Sequence, residues 1–291
     1  MRAAVIFGLG SSERDLKPFG AAEWQIGVPA NTKEAGAVLV FGGDGTIHRH
    51  LAQLVRLQLP TLIVPYGSGN DFARALGLKN VRIAVAAWRK FAAGTGCTRT
   101  VDLGLIKPLA GGAATSQQGY FCCVGGVGLD AEVARRANQL PRWLRGHGGY
   151  AVSLPAALFR FAALPMKISV AANGESPGKL TPYSEKPTVL AAFANTPVYG
   201  GGMQIAPEAK MDDGQLDLCI VSEMDKFKLF CLFPTVYFGR HLRREEVQYA
   251  RTPYLRIESE RPLDVYADGE YVCQTPIEVQ AVAQALRVIL P

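Results

Sequence analysis

Ala37-Val38-Leu39-Val40-Phe41-Gly42-Gly43-Asp44-Gly45-Thr46 decides how this chain is read. Five apolar residues in a row suit a strand buried on both faces. The glycines then allow a sharp turn. Beyond them Ile47, Leu51, Leu54 and Val55 recur at helical spacing. The same order returns downstream. Residues 61–64 form a second buried strand, and Pro65-Tyr66-Gly67-Ser68-Gly69-Asn70-Asp71 a second glycine-rich turn. A short helix over 71–78 follows, with Asp71 near its start and Gly77 near its end. Parallel neighbours of this kind bring both turns to the carboxyl edge of one sheet, where open α/β sheets bind ligands.

Working outward, residues 3–7 read as a first strand, 81–91 as a helix closed by Gly94 and Gly96, and 101–106 as a further strand. Strand–helix alternation predicts an α/β domain over residues 1–106. After Lys107 the character changes. Residues 109–119 are small and polar, a hairpin tip or loop. Strands then dominate, at 120–124, 166–171, 188–195, 216–221, 254–259, 263–267 and 271–273, interrupted by helices near 129–139, 149–162 and 225–239. This predicts a β-rich, antiparallel domain over 107–291, its last residues packing back on the first.

Composition narrows the function. An apolar fraction of 48% supplies ample core. No apolar stretch reaches the ~20 residues of a membrane span, so membrane contact is expected to be peripheral and the protein cytoplasmic. Lys plus Arg number 31 against 25 Asp plus Glu, an excess concentrated in residues 1–104. That excess fits a phosphate-handling protein or one that touches an anionic membrane, without implying nucleic-acid binding. Six cysteines form no C-x-x-C pair and read as buried free thiols of a reducing compartment.

The chemistry lies in the two turns. Glycines admit a phosphate close to the backbone, and helix N-termini offer it free N–H groups. Asp44 and Asp71 would repel a bare phosphate but suit one accompanied by Mg²⁺. Neither the Walker pattern nor the dinucleotide fingerprint is present. Gly125-Gly126-Val127-Gly128 resembles the latter only loosely.

Gly42-Gly43-Asp44-Gly45-Thr46 resembles the GGDGT signature of the diacylglycerol kinase catalytic-domain family, related to sphingosine kinases and shared more loosely with NAD kinases and phosphofructokinases. PYGSGNDFAR at 65–74 resembles that family's P-x-G-T-x-N-D-F-A-R. VDLG at 101–104, GGGMQIAP at 200–207, DDGQLD at 212–217 and DGE at 268–270 follow in family order. The resemblance implies an NAD kinase-like nucleotide-binding domain followed by a β-sandwich, and an ATP-dependent lipid kinase. It implies nucleotide contacts from Gly8, Gly10, Ser11, Thr32, Gly42, Gly43, Asp44, Gly45, Thr46, Gly67, Ser68, Asn70, Asp71 and Asp102. Asp44, Asp71 and Asp102 would form a metal–water network around the phosphates. Asp213, with carbonyl oxygens from Lys210 and Gln215, would hold Mg²⁺. Asp268 and Glu270 would supply the base, although Asp268-Gly269 is also an ordinary hairpin turn.

Departures from the pattern are specific. Gly8-Leu9-Gly10-Ser11-Ser12 replaces the family's N-P-x-S-G, and only about 30 residues separate the first strand from GGDGT. His48-Arg49 replaces Asn-Glu, and Ser68 replaces Thr. His48, His50, His147 and His241 show no ligand spacing and are expected in surface or cap roles. Arg135, Arg136, Arg142 and Arg145 gather around Trp143, and Arg240, Arg243 and Arg244 beside Tyr237 and Phe238. Such clusters are ordinarily solvated faces, and on a lipid kinase they would meet anionic headgroups. The expected partners are a membrane lipid substrate and an anionic surface, with a homodimer left open. The competing readings are an NAD kinase-like small-molecule kinase and a non-catalytic lipid- or nucleotide-binding homologue.

Overall fold

The structure, a computed structural model, describes residues 1–109, 118–139, 157–158, 161–172 and 179–291. Most of the 109–119 loop, nearly all of the 149–162 helix, and Arg142, Trp143, Arg145 and His147 lie outside the described residues.

The first half is a parallel sheet. β1 (Arg2–Phe7) lies between β2 (Glu23–Ile26) and β3 (Val38–Gly42), and β4 (Thr61–Pro65) adds beyond β3. Chain order thus runs outward from β1 in both directions, which opens a crevice at the carboxyl ends of β1 and β3. Between β1 and β2 runs only a 3-10 helix, Glu13–Phe19. Helices α1 (Asp44–Leu57), α2 (Asp71–Ala75) and α3 (Val81–Ala92) pack on the sheet, with Ile47, Leu51, Leu54 and Trp88 fully inside. The second helix ends earlier than its sequence suggests, because Leu76 already leaves helical geometry and Gly77 turns at a φ of 79°.

The second half is antiparallel. β5 (Cys97–Pro108) and β6 (Gly119–Phe121) lead into β7 (Val124–Gly128) and α4 (Leu129–Gln139). Then come β8 (Leu164–Ala171), β9 (Leu180–Ser184), β10 (Pro187–Ala194), β11 (Leu216–Ser222), α5 (Lys226–Val236), a 3-10 turn at Arg240–Arg243 and β12 (Val247–Thr252). β13 (Tyr254–Ser259), β14 (Asp264–Ala267), β15 (Glu270–Gln274) and β16 (Ile277–Leu290) complete it. Ile106, Phe121, Val127, Ile168, Phe193 and Leu218 fill one core between sheet layers, which is sandwich packing. The expected strand over 120–124 is in fact two, broken at Cys122-Cys123. The loose glycine fingerprint at 125–128 is strand β7, where Gly125 and Gly126 make room for Phe193 and Asp130.

β16 joins the halves. It pairs antiparallel with β13 and β5 of the second half, and parallel with β4 at Val288 opposite Thr61. Its register shifts between Val282 and Leu286, around Gln284 at a φ of 51°.

No disulfide forms among the cysteines, but Cys97 and Cys231 are exposed, contrary to the expectation that all six are buried. Among the described residues no helix is long and apolar enough to cross a membrane.

Candidate active site

Parallel pairing of β3 with β4 sets Gly42 opposite Pro65 and presses the two glycine turns together. A Cβ on Gly67 would stand 2.3 Å from the Gly43 Cα, and one on Gly43 would stand 2.8 Å from the Gly67 Cα. Neither position admits a side chain without moving backbone. Thr46 fills the neighbouring space, so that a Cβ on Gly8 or Gly42 would lie within 2.5 Å of its side chain. The ends of β1, β3 and β4 therefore meet on one edge, as a phosphate cradle requires.

Asn70 staples the second turn, accepting from the Gly67 N–H at 2.8 Å and donating to the Gly67 carbonyl at 2.6 Å. The Ser11 hydroxyl donates to the carbonyls of Gly8 at 2.9 Å and Phe41 at 3.1 Å, so it closes its own loop. Gly10, Thr32 and Ser68 are exposed, and the Thr32 and Ser68 hydroxyls have no hydrogen-bond partner among the described residues. The shortened N-terminal segment is tied to the second turn by the Tyr66 hydroxyl, which donates to Asp15 at 2.8 Å.

The carboxylates are spoken for. Asp44 accepts the N–H groups of Asp71 and Phe72, each at 3.0 Å, and so caps α2 from the neighbouring turn. Burial pushes its acid up to about 6, against those two N–H groups, and the negative charges of Asp71 and Asp268 add to the rise. Asp71 is ion-paired with Arg74 and accepts the Gly201 N–H at 3.1 Å. Asp102 accepts Gly214 N–H and Gln284 N–H, both at 2.7 Å. It therefore fastens the 212–217 turn and the β16 bend, while Asp44 and Asp71 face each other across the glycine turns.

At 212–217 the three aspartates do not converge. Asp212 pairs with Arg99, and Asp217 accepts from Tyr249 and Arg251. Asp213 accepts the Gln215 N–H at 3.1 Å. Gln215 Oε1 and Asp217 Oδ2 are buried with no hydrogen-bond partner. Oxygens of this hard kind are of the type that Mg²⁺ takes. Lys210 is exposed.

β14 and β15 meet in the two-residue turn Asp268-Gly269, at φ values of 51° and 83°. The hairpin reading of Asp268 holds, and yet its side chain is fully buried. It accepts Cys123 N–H at 2.8 Å and Cys122 N–H at 2.9 Å, and meets His48 Nδ1 at 3.1 Å. Those amides turn toward Asp268, which is why the strand breaks there. Glu270 starts β15, and its carboxylate lies against Gly45, where a Cβ would stand 2.6 Å from Oε1.

His48 was expected at the surface, and no local signal could have placed it here, since its partner lies 220 residues away. It is largely buried, which disfavours its charge. The hydrogen bond to Asp268 and the charges of Asp268 and Glu270 outweigh that and raise its pKa. His50 instead bonds the Thr46 carbonyl, and His241 is buried on the Ile205 carbonyl, with burial lowering its pKa. Arg135 and Arg136 are both paired to Glu132. Asp130, at the start of α4, accepts the Tyr199 hydroxyl at 2.6 Å, and burial lifts its acid to about 6 despite that bond.

Two family models match the chain. Residues 25–106 match the diacylglycerol kinase catalytic domain, and residues 123–290 the YegS C-terminal NAD kinase beta sandwich-like domain. The chain is 36% identical to the diacylglycerol kinase of Mycobacterium tuberculosis over 90% of its length and 79% of the relative's. It is 26% identical to the diacylglycerol kinase of Bacillus subtilis, over 90% and 80%. A solved structure from Bacillus anthracis str. Sterne superposes with a TM-score of 0.73 over 100% of this chain and 95% of that one, at 22% identity.

Proposed function

Because this chain belongs to the diacylglycerol kinase catalytic-domain family of lipid kinases, we propose that it transfers the γ-phosphate of ATP to the hydroxyl of a membrane lipid, diacylglycerol or similar. One observation carries the reading. Glu270, from the β-rich half, sets a carboxylate with no hydrogen bond among the described residues directly against Gly45 at the start of α1. Donor-side glycines and an acceptor-side base thus share one surface. A small-molecule NAD kinase-like activity is the weaker reading, because the PYGSGNDFAR and DGE segments both take part in this surface. A non-catalytic homologue is weaker for the same reason.

In this reading the paired turns and the α1 N-terminus hold the phosphates in line with the acceptor hydroxyl. Mg²⁺, when bound near Asp44 and Asp71, would neutralise phosphate charge. Glu270 accepts the hydroxyl proton as the oxygen attacks. Asp268 and His48 hold the hairpin in place on α1. Incubating the protein with radiolabelled ATP and a total lipid extract tests the proposal, with the labelled product identified by mass spectrometry. Label that stays in ATP or appears only in soluble acceptors would overturn it.

Two further expectations arise from the site. Asp213→Ala should lower the melting temperature in Mg²⁺ and abolish its rise with added Mg²⁺, since an ion bound only by the folded state stabilises by mass action. An unchanged Mg²⁺ response would remove the ion from that turn.

The second concerns His48. Its raised pKa means that the ion pair with Asp268 contributes stability fully below the ordinary histidine value of 6.5, lost as pH rises through the raised value. The melting temperature of His48→Asn, which keeps a donor but no charge, should therefore converge on that of wild type as pH rises. His48→Leu, lacking the donor, should lose on the order of tenfold in kcat, about what one hydrogen bond of 1.4 kcal/mol is worth. A wild-type to His48→Asn gap that widens with pH would contradict the pairing.

A further inference from the structure

α5 carries apolar residues on its outer side as well as its inner one. Asp225 caps it, accepting from Phe227 N–H at 2.8 Å and Lys228 N–H at 3.3 Å. Leu229, Leu232 and Val236 recur at helical spacing and are buried. On the other side Phe227 is 73% exposed, and Phe238, just past the helix, is 71% exposed. Lys226 and Lys228 flank Phe227 on the exposed side, so this side joins basic groups to an aromatic ring. Beside it runs a groove of about 170 Å³ whose lining includes Met224, Phe227, Lys228, Leu232, Arg244 and Glu246.

The arginines around this corner form no ion pair among the described residues. The Arg240 guanidinium lies 6.0 Å from the centroid of the Phe238 ring. Arg240, Arg243 and Arg244 have no carboxylate partner among the described residues. Of the nearby acids, Asp225 is turned into the helix cap, Glu246 lies toward Lys228 at 3.5 Å and also feels the Arg244 charge, and Glu245 is exposed beside Arg244, so the three arginines outnumber the acids that face outward. Exposed aromatic rings with unpaired arginines beside them match the interface of an anionic bilayer, apolar inside and phosphate-lined outside.

The corner is also fastened to the phosphate side of the site. Gln204 N–H donates to the Val236 carbonyl at 3.0 Å, and His241 Nε2 meets the Ile205 carbonyl at 3.1 Å. The same loop sends Gly201 N–H to Asp71 at 3.1 Å. One short segment, 201–205, therefore spans from this surface to a carboxylate of the glycine turns.

We propose that the α5–Arg240 corner is the face that docks on an anionic bilayer, Phe227 and Phe238 entering the acyl-chain boundary while Arg240, Arg243 and Arg244 meet lipid phosphates. The proposal rests on the lipid-kinase reading, and the test separates the two. The full chain, a Phe227→Ser/Phe238→Ser variant and an Arg240→Gln/Arg243→Gln/Arg244→Gln variant are floated with phosphatidylcholine vesicles, with and without phosphatidylglycerol, at low and high salt. Turnover is measured in parallel on a short-chain diacylglycerol kept monomeric, and mass by sedimentation.

Wild type should bind the phosphatidylglycerol vesicles, and less so at high salt. The serine variant should lose on the order of tenfold in partition per phenylalanine. The glutamine variant should lose the salt dependence. Both should keep their melting temperature and wild-type turnover of the monomeric lipid. Wild-type partition in both variants overturns the docking face. So does a serine variant that falls from dimer to monomer while still binding vesicles, since the corner would then be a subunit contact. Absence of turnover on any lipid, with vesicle binding as described, overturns the kinase reading and leaves the docking face standing.

Discussion

Glu270→Gln should lower phosphate transfer to lipid by about 10²–10⁴-fold, the range of a positioned general base, and leave nucleotide affinity little changed. The geometry separates it from its neighbour. Glu270 has no hydrogen bond among the described residues, whereas Asp268 faces the N–H groups of Cys122 and Cys123 and the ring of His48. Asp268→Asn should behave differently. An amide at 268 accepts only one of those two N–H groups, and a buried donor left unpaired costs about 1–3 kcal/mol. Its transfer rate should thus fall together with its melting temperature. Single-turnover rates, nucleotide titrations and melting curves on both variants decide the assignment. A folded Glu270→Gln protein that turns over at the wild-type rate would exclude Glu270 as the base. If Asp268→Asn alone loses transfer, with its melting temperature intact, the base is Asp268.

Asp44→Asn should be equally damaging to turnover, by about 10²–10³-fold, as for loss of one electrostatic contact made in the transition state. Its effect on stability should be small and pH-dependent. Burial raises the Asp44 acid to about 6 in the folded protein. A raised carboxyl contributes stability that is present below its ordinary 3.8 and lost as pH rises through about 6. Wild type alone should therefore lose stability across that window relative to Asp44→Asn. Wild-type activity should rise as the carboxyl ionises near 6. The variant gives up one of the two N–H contacts on α2, which offsets part of its gain at neutral pH. Melting curves from pH 4 to 8 on both proteins, with kcat, check this. Near-normal kcat in the folded variant would remove Asp44 from the mechanism.

The glycine turns were legible in the sequence because everything that makes them is local. Apolar runs announce buried strands, and glycines announce the turns that end them. The β-hairpin at Asp268-Gly269 was legible for the same reason. What escaped depends on distant partners. β2 is a four-residue strand, Glu-Trp-Gln-Ile, with both end residues exposed, and its pattern is too short to stand out. β16 interrupts its Val and Ile residues with Ala and Gln, which blurs the strand alternation, and it is held extended by β5, β13 and β4. The placement of His48 needed the hairpin fold, and that of Asp102 needed both the 212–217 turn and β16. Sequence could propose these aspartates as one network; only the packing shows Asp102 committed to Gly214 and Gln284 while Asp44 and Asp71 stay at the turns.

A strand common to both halves also limits how the molecule can open. β16 runs for 14 residues, hydrogen-bonded to the nucleotide-side sheet at one end and to the sandwich at the other. Swinging the halves apart would have to bend or strip that strand. Its one irregular point, at Gln284, is pinned by the Asp102 carboxylate at 2.7 Å. Any rotation of one half against the other would therefore have to distort β16.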